Sequence, residues 1–243
     1  MVINKRRFSQ IARRWSQIKH LRKSALDLRI SALNNLKNKK ILITAGPTWV
    51  PIDNVRVISN IATGETGILL AEEAHRQGAK VTLLLGPISD CCLDNSINII
   101  RFKFFDELHK VVKKELKNKK YDIVIHSAAV SDFKPKRFFK EKISSDKVFD
   151  LKLKPLPKII EDIRRLAPRA KLVMFKLESG VSDTTLIKRA KIAQSKVNAD
   201  FTVANRFNPY RAFIIDKIGN TISVKSKKEL AKELLNKLLI TSY

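Results

Sequence analysis

The chain has 243 residues, 44% of them apolar, and carries 49 Lys/Arg against 23 Asp/Glu for a formal net charge of +26. That length and apolar content suffice to bury a sizeable core, and the longest apolar runs, such as VTLLLG and DIVIHSAAV, fall far short of the roughly 20 residues a bilayer span requires, so no transmembrane segment is expected. The two cysteines, Cys91 and Cys92, are sequence neighbours that match no metal or redox spacing, which favours a reducing, cytoplasmic compartment; the four histidines, His20, His75, His109 and His126, lack the paired spacing of a zinc site.

The first segment is the most basic. Residues 1–40 hold twelve Lys/Arg and one acid, Asp27, and Phe8, Ile11, Trp15, Ile18, Leu21, Ala25, Leu28, Ala32 and Leu36 recur every three or four positions. This predicts one or two amphipathic helices with a basic outer face. Packing on protein, lying on a membrane surface and serving as an organelle transit peptide all remain open for it. The remaining positive charge is spread along the chain and no aromatic stacking pattern accompanies it. Nucleic-acid binding is therefore an open alternative that the pattern does not favour.

From Lys39 the pattern changes, which divides the chain into a basic helical extension over 1–38 and a globular domain over 39–243. Strand-like runs occur at 39–46, 79–86, 96–102, 121–130, 171–177 and 200–205, with helical patterns at 64–77, 105–117, 157–166 and 183–197 between most of them. Continuous apolar strands alternating with amphipathic helices predict an α/β, Rossmann-like, doubly wound parallel sheet. Two further strands around a Gly219-Asn220 turn predict a C-terminal β-hairpin, and KKELAKELLNKLL predicts a closing helix.

In such a sheet ligands bind beyond the carboxyl ends of the strands. The segments there are TAGPTWVPIDNVRVISN, LGPISD, HSAAVSDFKPK, FKLES and VANRFN. Gly64 and Gly67 stand where loop becomes helix, a place where the missing Cβ lets backbone N–H groups approach a phosphate. A dehydrogenase reading fails on three counts. The glycines follow the first strand only after residues 47–63, no acid ends the next strand, and no Tyr-x-x-x-Lys pair occurs.

ILITAGPTWVPIDNVRVISNIATGETG, HSAAVSDFKPK, EKISS, LPKII, FKLES and ADFTVAN, in that order from about residue 40 to 235, resemble phosphopantothenoylcysteine synthetase, the phosphopantothenate–cysteine ligase of coenzyme A biosynthesis, in its free-standing form. The resemblance implies a nucleotide-dependent ligase. 4'-Phosphopantothenate attacks the α-phosphate of CTP or ATP with Mg²⁺ present, pyrophosphate leaves, and the amine of L-cysteine attacks the acyl-nucleotidylate. It also implies a homodimer. Such chemistry asks for positioning and charge neutralisation more than for side-chain acids or bases.

Position by position, Gly46, Ala62, Gly64 and Gly67 resemble the nucleotide-phosphate cradle, and Asn60 the carboxamide that contacts the acyl group. Arg56 resembles the residue that reaches the pantothenate phosphate of a neighbouring subunit. Ala128 and Ala129 resemble the small residues along the pantothenate, and Asp132 the acid between pantothenate and nucleotide. Lys142 resembles the catalytic flap lysine that pairs with the triphosphate. Pro157, Lys158, Ile159 and Ile160 resemble the segment that cups the base, with Pro157 in the first turn of a helix, Phe175 its stacking partner, and Asn205 a residue beside the nucleotide.

The chain departs from the family pattern in places. Pro47 replaces a glycine, Ser144 and Ser145 stand where the fused type has lysines, and Arg189, Lys191 and Lys196 all remain candidates for a helix lysine at the triphosphate. The extension has no counterpart in the resemblance.

Overall fold

A computed structural model describes residues 36–88, 94–146 and 148–240; the extension up to residue 35 and the pair Cys91-Cys92 lie outside the described residues. In chain order the elements are β1 (Lys40–Ala45), β2 (Trp49–Pro51), β3 (Val57–Ser59), α1 (Glu65–Arg76), β4 (Lys80–Leu85), β5 (Asn98–Arg101) and α2 (Phe105–Asn118). Then come β6 (Ile123–His126), β7 (Phe133–Pro135), β8 (Leu153–Pro155), α3 (Ile159–Leu166), β9 (Lys171–Leu177) and α4 (Asp183–Val197). The chain continues through β10 (Phe201–Arg206), β11 (Arg211–Asp216), β12 (Thr221–Val224) and α5 (Lys227–Ile240).

One sheet runs in the order β12-β11-β10-β9-β6-β1-β4-β5. Strands β5 to β10 along that order are parallel, and β11 and β12 add antiparallel. The expected doubly wound sheet is thus present, and the C-terminal hairpin extends it. The hairpin turn is held by Asp216, whose carboxylate accepts from the Ile218 and Asn220 N–H groups and the Asn220 amide, with Gly219 at φ 92° between them.

The strands read as unbroken apolar runs because both faces are covered. On one face, Leu70, Ala71 and Ala74 of α1 and Leu230, Leu234 and Leu235 of α5 pack over Ile41, Ile43, Val203 and Ile214. On the other, Leu108 and Val112 of α2 and Ile159 and Ile163 of α3 pack over Leu42, Leu84, Val124 and Leu172. Leu186 and Ala190 of α4 cover Ala204 and Phe213. Each fully buried Leu or Ile adds about 1.5–3 kcal/mol of transfer free energy.

Leu36, expected at the end of the extension, is fully buried in the core under α1, and its N–H donates to the Gln77 carbonyl at 3.1 Å. The helix ends follow local chemistry. Ser182 caps α4 by accepting from the Thr185 N–H at 3.2 Å, and Asn198 closes it in the left-handed region at φ 53°.

Two small antiparallel pairs stand apart from the sheet, β2 with β3 and β7 with β8. Residues 47–63 and 131–155 read as loops in the sequence, since three-residue strands containing Pro51, Pro135 and Pro155 carry no period-2 signal. Helix α3 begins at Ile159 with Lys158 as its N-cap, so Pro157 lies just outside it rather than in its first turn.

Candidate active site

The sheet order reverses between β1 and β6, and a cavity of about 880 Å³ opens above the carboxyl ends of those strands. Its walls come from segments far apart in sequence: Gly46, the 59–67 loop and α1 start, 126–132 after β6, 157–161 at α3, the end of β9, the last turn of α4, and Asn205, Phe207 and Tyr210 around the β10–β11 connection. The structure brings together Gly46, Asn60, Ala62, Gly64, Gly67, Ala128, Ala129, Asp132, Pro157, Lys158, Ile159, Ile160, Phe175 and Asn205 on this one cavity.

The two glycines at the start of α1 are required for different reasons. Gly64 is the N-cap at φ 73°, a left-handed conformation that costs an L side chain about 1–2 kcal/mol, and no side chain caps it. The Glu65 N–H donates to the Thr63 hydroxyl at 3.4 Å, and the N–H groups of Thr66 and Gly67 that follow lie at the cavity, where the helix dipole favours an anion. Gly67 lines the cavity but is set by packing. A Cβ there would lie 2.4 Å from Ala45 Cβ and 2.8 Å from Ser127 Oγ. Its task is to seat α1 against β1, a packing cause at Gly67 beside the phosphate approach that the sequence suggested for both glycines.

Asn60 reaches across from the β3 end. Its amide nitrogen donates to the carbonyls of Ala129 and Val130 at 3.1 Å each. Both amide hydrogens are thus engaged in tying the 59–61 loop to the segment after β6, and Oδ1 is the group left free among the described residues.

Asp132 pairs with Lys158 at the cavity edge, and Leu156 N–H donates to the Asp132 carbonyl at 2.8 Å, closing the entry to α3. Of the three helix cations left open by the sequence, Lys196 lines the cavity. Arg189 pairs with Glu178 at 2.9 Å, and Lys191 donates to the Gly219 carbonyl.

Arg56 and Lys142 do not line the cavity of their own chain. Arg56 pairs with Asp53 at 3.2 Å and donates to the Ile143 carbonyl. Asp53 is 2% exposed and accepts from the N–H groups of Val55 at 2.8 Å, Arg56 at 2.7 Å and Ile143 at 3.2 Å. Burial pushes its carboxyl up, but the three backbone donors and the Arg56 charge outweigh it and hold the pKa below the ordinary value. Asn54 donates to the Lys140 carbonyl and Phe139 N–H to that of Ile52, so the whole 52–56 turn is stitched to the connection between β7 and β8. Lys142 sits exposed on that connection.

Several cavity residues went unnoticed in the sequence. Lys227 of α5 pairs with Glu65 at the start of α1 and stands 6.0 Å over the Tyr210 ring; the Tyr210 hydroxyl is buried without a protein partner among the described residues, and burial followed by the Glu65 charge pushes it up to about 12. His126, the last residue of β6, also lines the cavity. Its position just before Ser127-Ala128-Ala129 at a strand's carboxyl end was the available signal. Among the described residues no cluster of three or more His, Cys, Asp or Glu could hold a metal.

A Rossmann-like sheet with a helix N-terminus and several cations around a switch-point cavity defines an α/β protein of the doubly wound class, in which ligands bind beyond the carboxyl ends of the strands. The chain belongs to the family described as the DNA/pantothenate metabolism flavoprotein C-terminal domain, which matches residues 36–241. It is 36% identical over 211 residues to the coenzyme A biosynthesis bifunctional protein CoaBC of Thermococcus kodakarensis, covering 84% of this chain and 52% of that protein. It is 38% identical over 209 residues to the CoaBC protein of Borreliella burgdorferi, covering 82% and 52%. The chain thus spans about half the length of these relatives. The crystal structure of the C-terminal domain of a CoaBC protein superimposes with a TM-score of 0.72 at 28% identity, over 85% of this chain and 97% of that one.

Proposed function

We propose that this chain is a phosphopantothenate–cysteine ligase, working through an acyl-nucleotidylate with CTP or ATP and Mg²⁺ as the nucleotide system. The observation that carries the reading is the meeting of eight sequence-distant segments, from Gly46 to Lys227, on one switch-point cavity, in a chain whose family is that of the CoaBC C-terminal domain. In the first step a pantothenate carboxylate oxygen attacks the α-phosphorus and pyrophosphate leaves. In the second the cysteine amine attacks the acyl carbon, the nucleoside monophosphate leaves and the nitrogen loses a proton.

The parts match these demands. The uncapped start of α1 receives phosphate oxygens, and Lys196 and Lys158 supply positive charge. The free Oδ1 of Asn60 can accept a hydrogen from the incoming amine. Phe175, half-buried on the cavity wall, offers a face to the base, and Ile159 and Ile160 its apolar edge.

A homodimer fits the same reading. Val55, Ile61, Val148, Phe149, Phe133 and Leu153 are exposed large apolar residues on or beside the two small hairpins. Arg56 lies among them and outside its own cavity, consistent with service to a neighbouring subunit's phosphopantothenate. A ligase of free cysteine belongs in the cytoplasm, and no helix among the described residues is long and apolar enough to cross a membrane.

The deciding experiment is pyrophosphate release with 4'-phosphopantothenate and each triphosphate, with and without L-cysteine. A burst near one per site without cysteine, and steady turnover with it, is expected. Absence of release with every triphosphate, together with salt-sensitive binding to arbitrary RNA, would instead support the nucleic-acid reading of the basic charge.

A further inference from the structure

Thr44 and His126 are register partners on β1 and β6, the two strands that flank the switch point. By alternation they share the sheet face of Leu42 and Val124, which α2 and α3 cover. Thr44 is fully buried. Its Oγ1 receives the Ala128 N–H at 3.1 Å and lies 2.9 Å from His126 Nδ1.

This geometry decides the tautomer. A hydroxyl has one hydrogen, and the Ala128 N–H can only donate, so the Thr44 hydrogen is left for another acceptor. Nδ1 is the acceptor the hydroxyl meets among the described residues, and a buried hydroxyl is satisfied when it donates there. The ring proton of the neutral imidazole is then on Nε2. That N–H has no protein partner among the described residues, while the ring lines the cavity.

The acyl group needs such a donor. Asn60 and the segment after His126 are bonded to each other, so a substrate acyl group against Asn60 lies at the end of β6. The amide hydrogens of Asn60 are engaged, and the acyl oxygen becomes more negative when the amine attacks. We propose that His126 is a further substrate-contacting residue, whose Nε2–H hydrogen-bonds the acyl oxygen of the bound pantothenoyl group and stabilises it during amide formation. This rests on the ligase reading.

A neutral donor suits the task. A cation would bind the substrate carboxylate most strongly before reaction, whereas a fixed neutral dipole gains as the oxyanion forms. Burial pushes His126 down to about 4, which keeps the ring uncharged at working pH. The charged groups on the same cavity are Lys158 and Glu161 of the α3 start, Asp132, Lys176, Lys196, and Glu65 with Lys227. None of them forms an ion pair with the imidazole, and Asp132, Glu65 and Lys176 are paired with Lys158, Lys227 and Glu178.

The test compares His126→Gln with His126→Met, side chains of similar length that differ in the donor, by rapid quench with pyrophosphate and amide product measured separately. Pyrophosphate release should change less than about 3-fold in both, while amide formation falls about 100-fold in His126→Met and recovers to within about 10-fold of wild type in His126→Gln. The wild-type amide step should show no inflection from this ring between pH 5.5 and 8. Equal rates for Met and Gln, or an inflection in that range that His126→Gln removes, overturns the proposal. A wild-type chain that releases no pyrophosphate overturns the ligase reading and this inference together; normal wild-type turnover with an unaffected Met variant overturns this inference alone.

Discussion

Gly67→Ala is the sharpest probe of how α1 is seated. Carbon atoms in contact sit about 3.5–4.0 Å apart, whereas the new methyl would lie 2.4 Å from Ala45 Cβ and 2.8 Å from Ser127 Oγ. Neither neighbour can yield easily. Ala45 is a fully buried β1 residue, and Ser127 Oγ is tied to the Thr44 carbonyl at 2.7 Å. Helix propensity alone would favour the alanine by about 1 kcal/mol. Overpacking against backbone-borne atoms costs about 1–3 kcal/mol, with this site at the upper end, so the net loss is about 1–2 kcal/mol. At about 2–4 °C per kcal/mol for a domain of this size, Tm should fall by about 2–8 °C. Because α1 must lift away from β1, its N-terminus leaves the cavity, and nucleotide affinity should fall about 10-fold, equivalent to about 1.4 kcal/mol. Thermal unfolding by circular dichroism and nucleotide titration by calorimetry read the two effects. Gly180→Ala is the control, since nothing lies within 4 Å of a Cβ there and only its φ of 68° is strained. A Gly67→Ala protein with unchanged Tm and unchanged nucleotide affinity would refute the packing argument.

Two further predictions follow from the cations and the turn. Lys196→Ala should raise the KM for the triphosphate about 10-fold with a smaller change in kcat, while Arg189→Ala and Lys191→Ala leave it within about 2-fold, because those two are engaged elsewhere; steady-state kinetics with the nucleotide varied would show an equal effect in all three if the assignment is wrong. Asp53→Asn keeps the size of the side chain but replaces an oxygen that accepts the Ile143 N–H or Arg56 with a donor. The 139–146 segment should then be cut by trypsin at least about 5-fold faster, with Tm little changed, since local opening governs cleavage; an unaltered cleavage rate would show that Asp53 does not hold the segment.

The main sheet was legible because its strands and helices announce themselves by period. α4 was expected at 183–197 and β9 at 171–177, and both occupy those residues. The ends of these strands then located most of the candidate site, since a parallel sheet delivers its loops to one edge. The β2–β3 and β7–β8 pairs were hidden by their shortness and their prolines. The direction of individual side chains was hidden more deeply. No sequence pattern indicates that the Asn60 amide faces carbonyls 69 and 70 residues further on, or that Thr44 and His126 meet across 82 residues, because these depend on how distant segments register; that Arg56 turns to Asp53 three residues before it depends on the fold of one loop.

The placement of the cavity on β1 and β6 divides the site by how it opens to solvent. Each of those strands is hydrogen-bonded on both sides, β1 between β4 and β6 and β6 between β1 and β9, so their amides exchange with water only through near-global unfolding. The connection carrying Lys142 is held by the three-residue β7–β8 pair and by its bonds to the 52–56 turn and is mostly exposed, so its amides other than those of Phe139 and Ile143 exchange through local fluctuations of low free energy. Ordering backbone in that connection costs about 1–2 kcal/mol per residue. A ligand that touched both halves would therefore find the cavity floor preformed, and whatever it lost in affinity to ordering would be lost at the periphery, where heating or denaturant acts first.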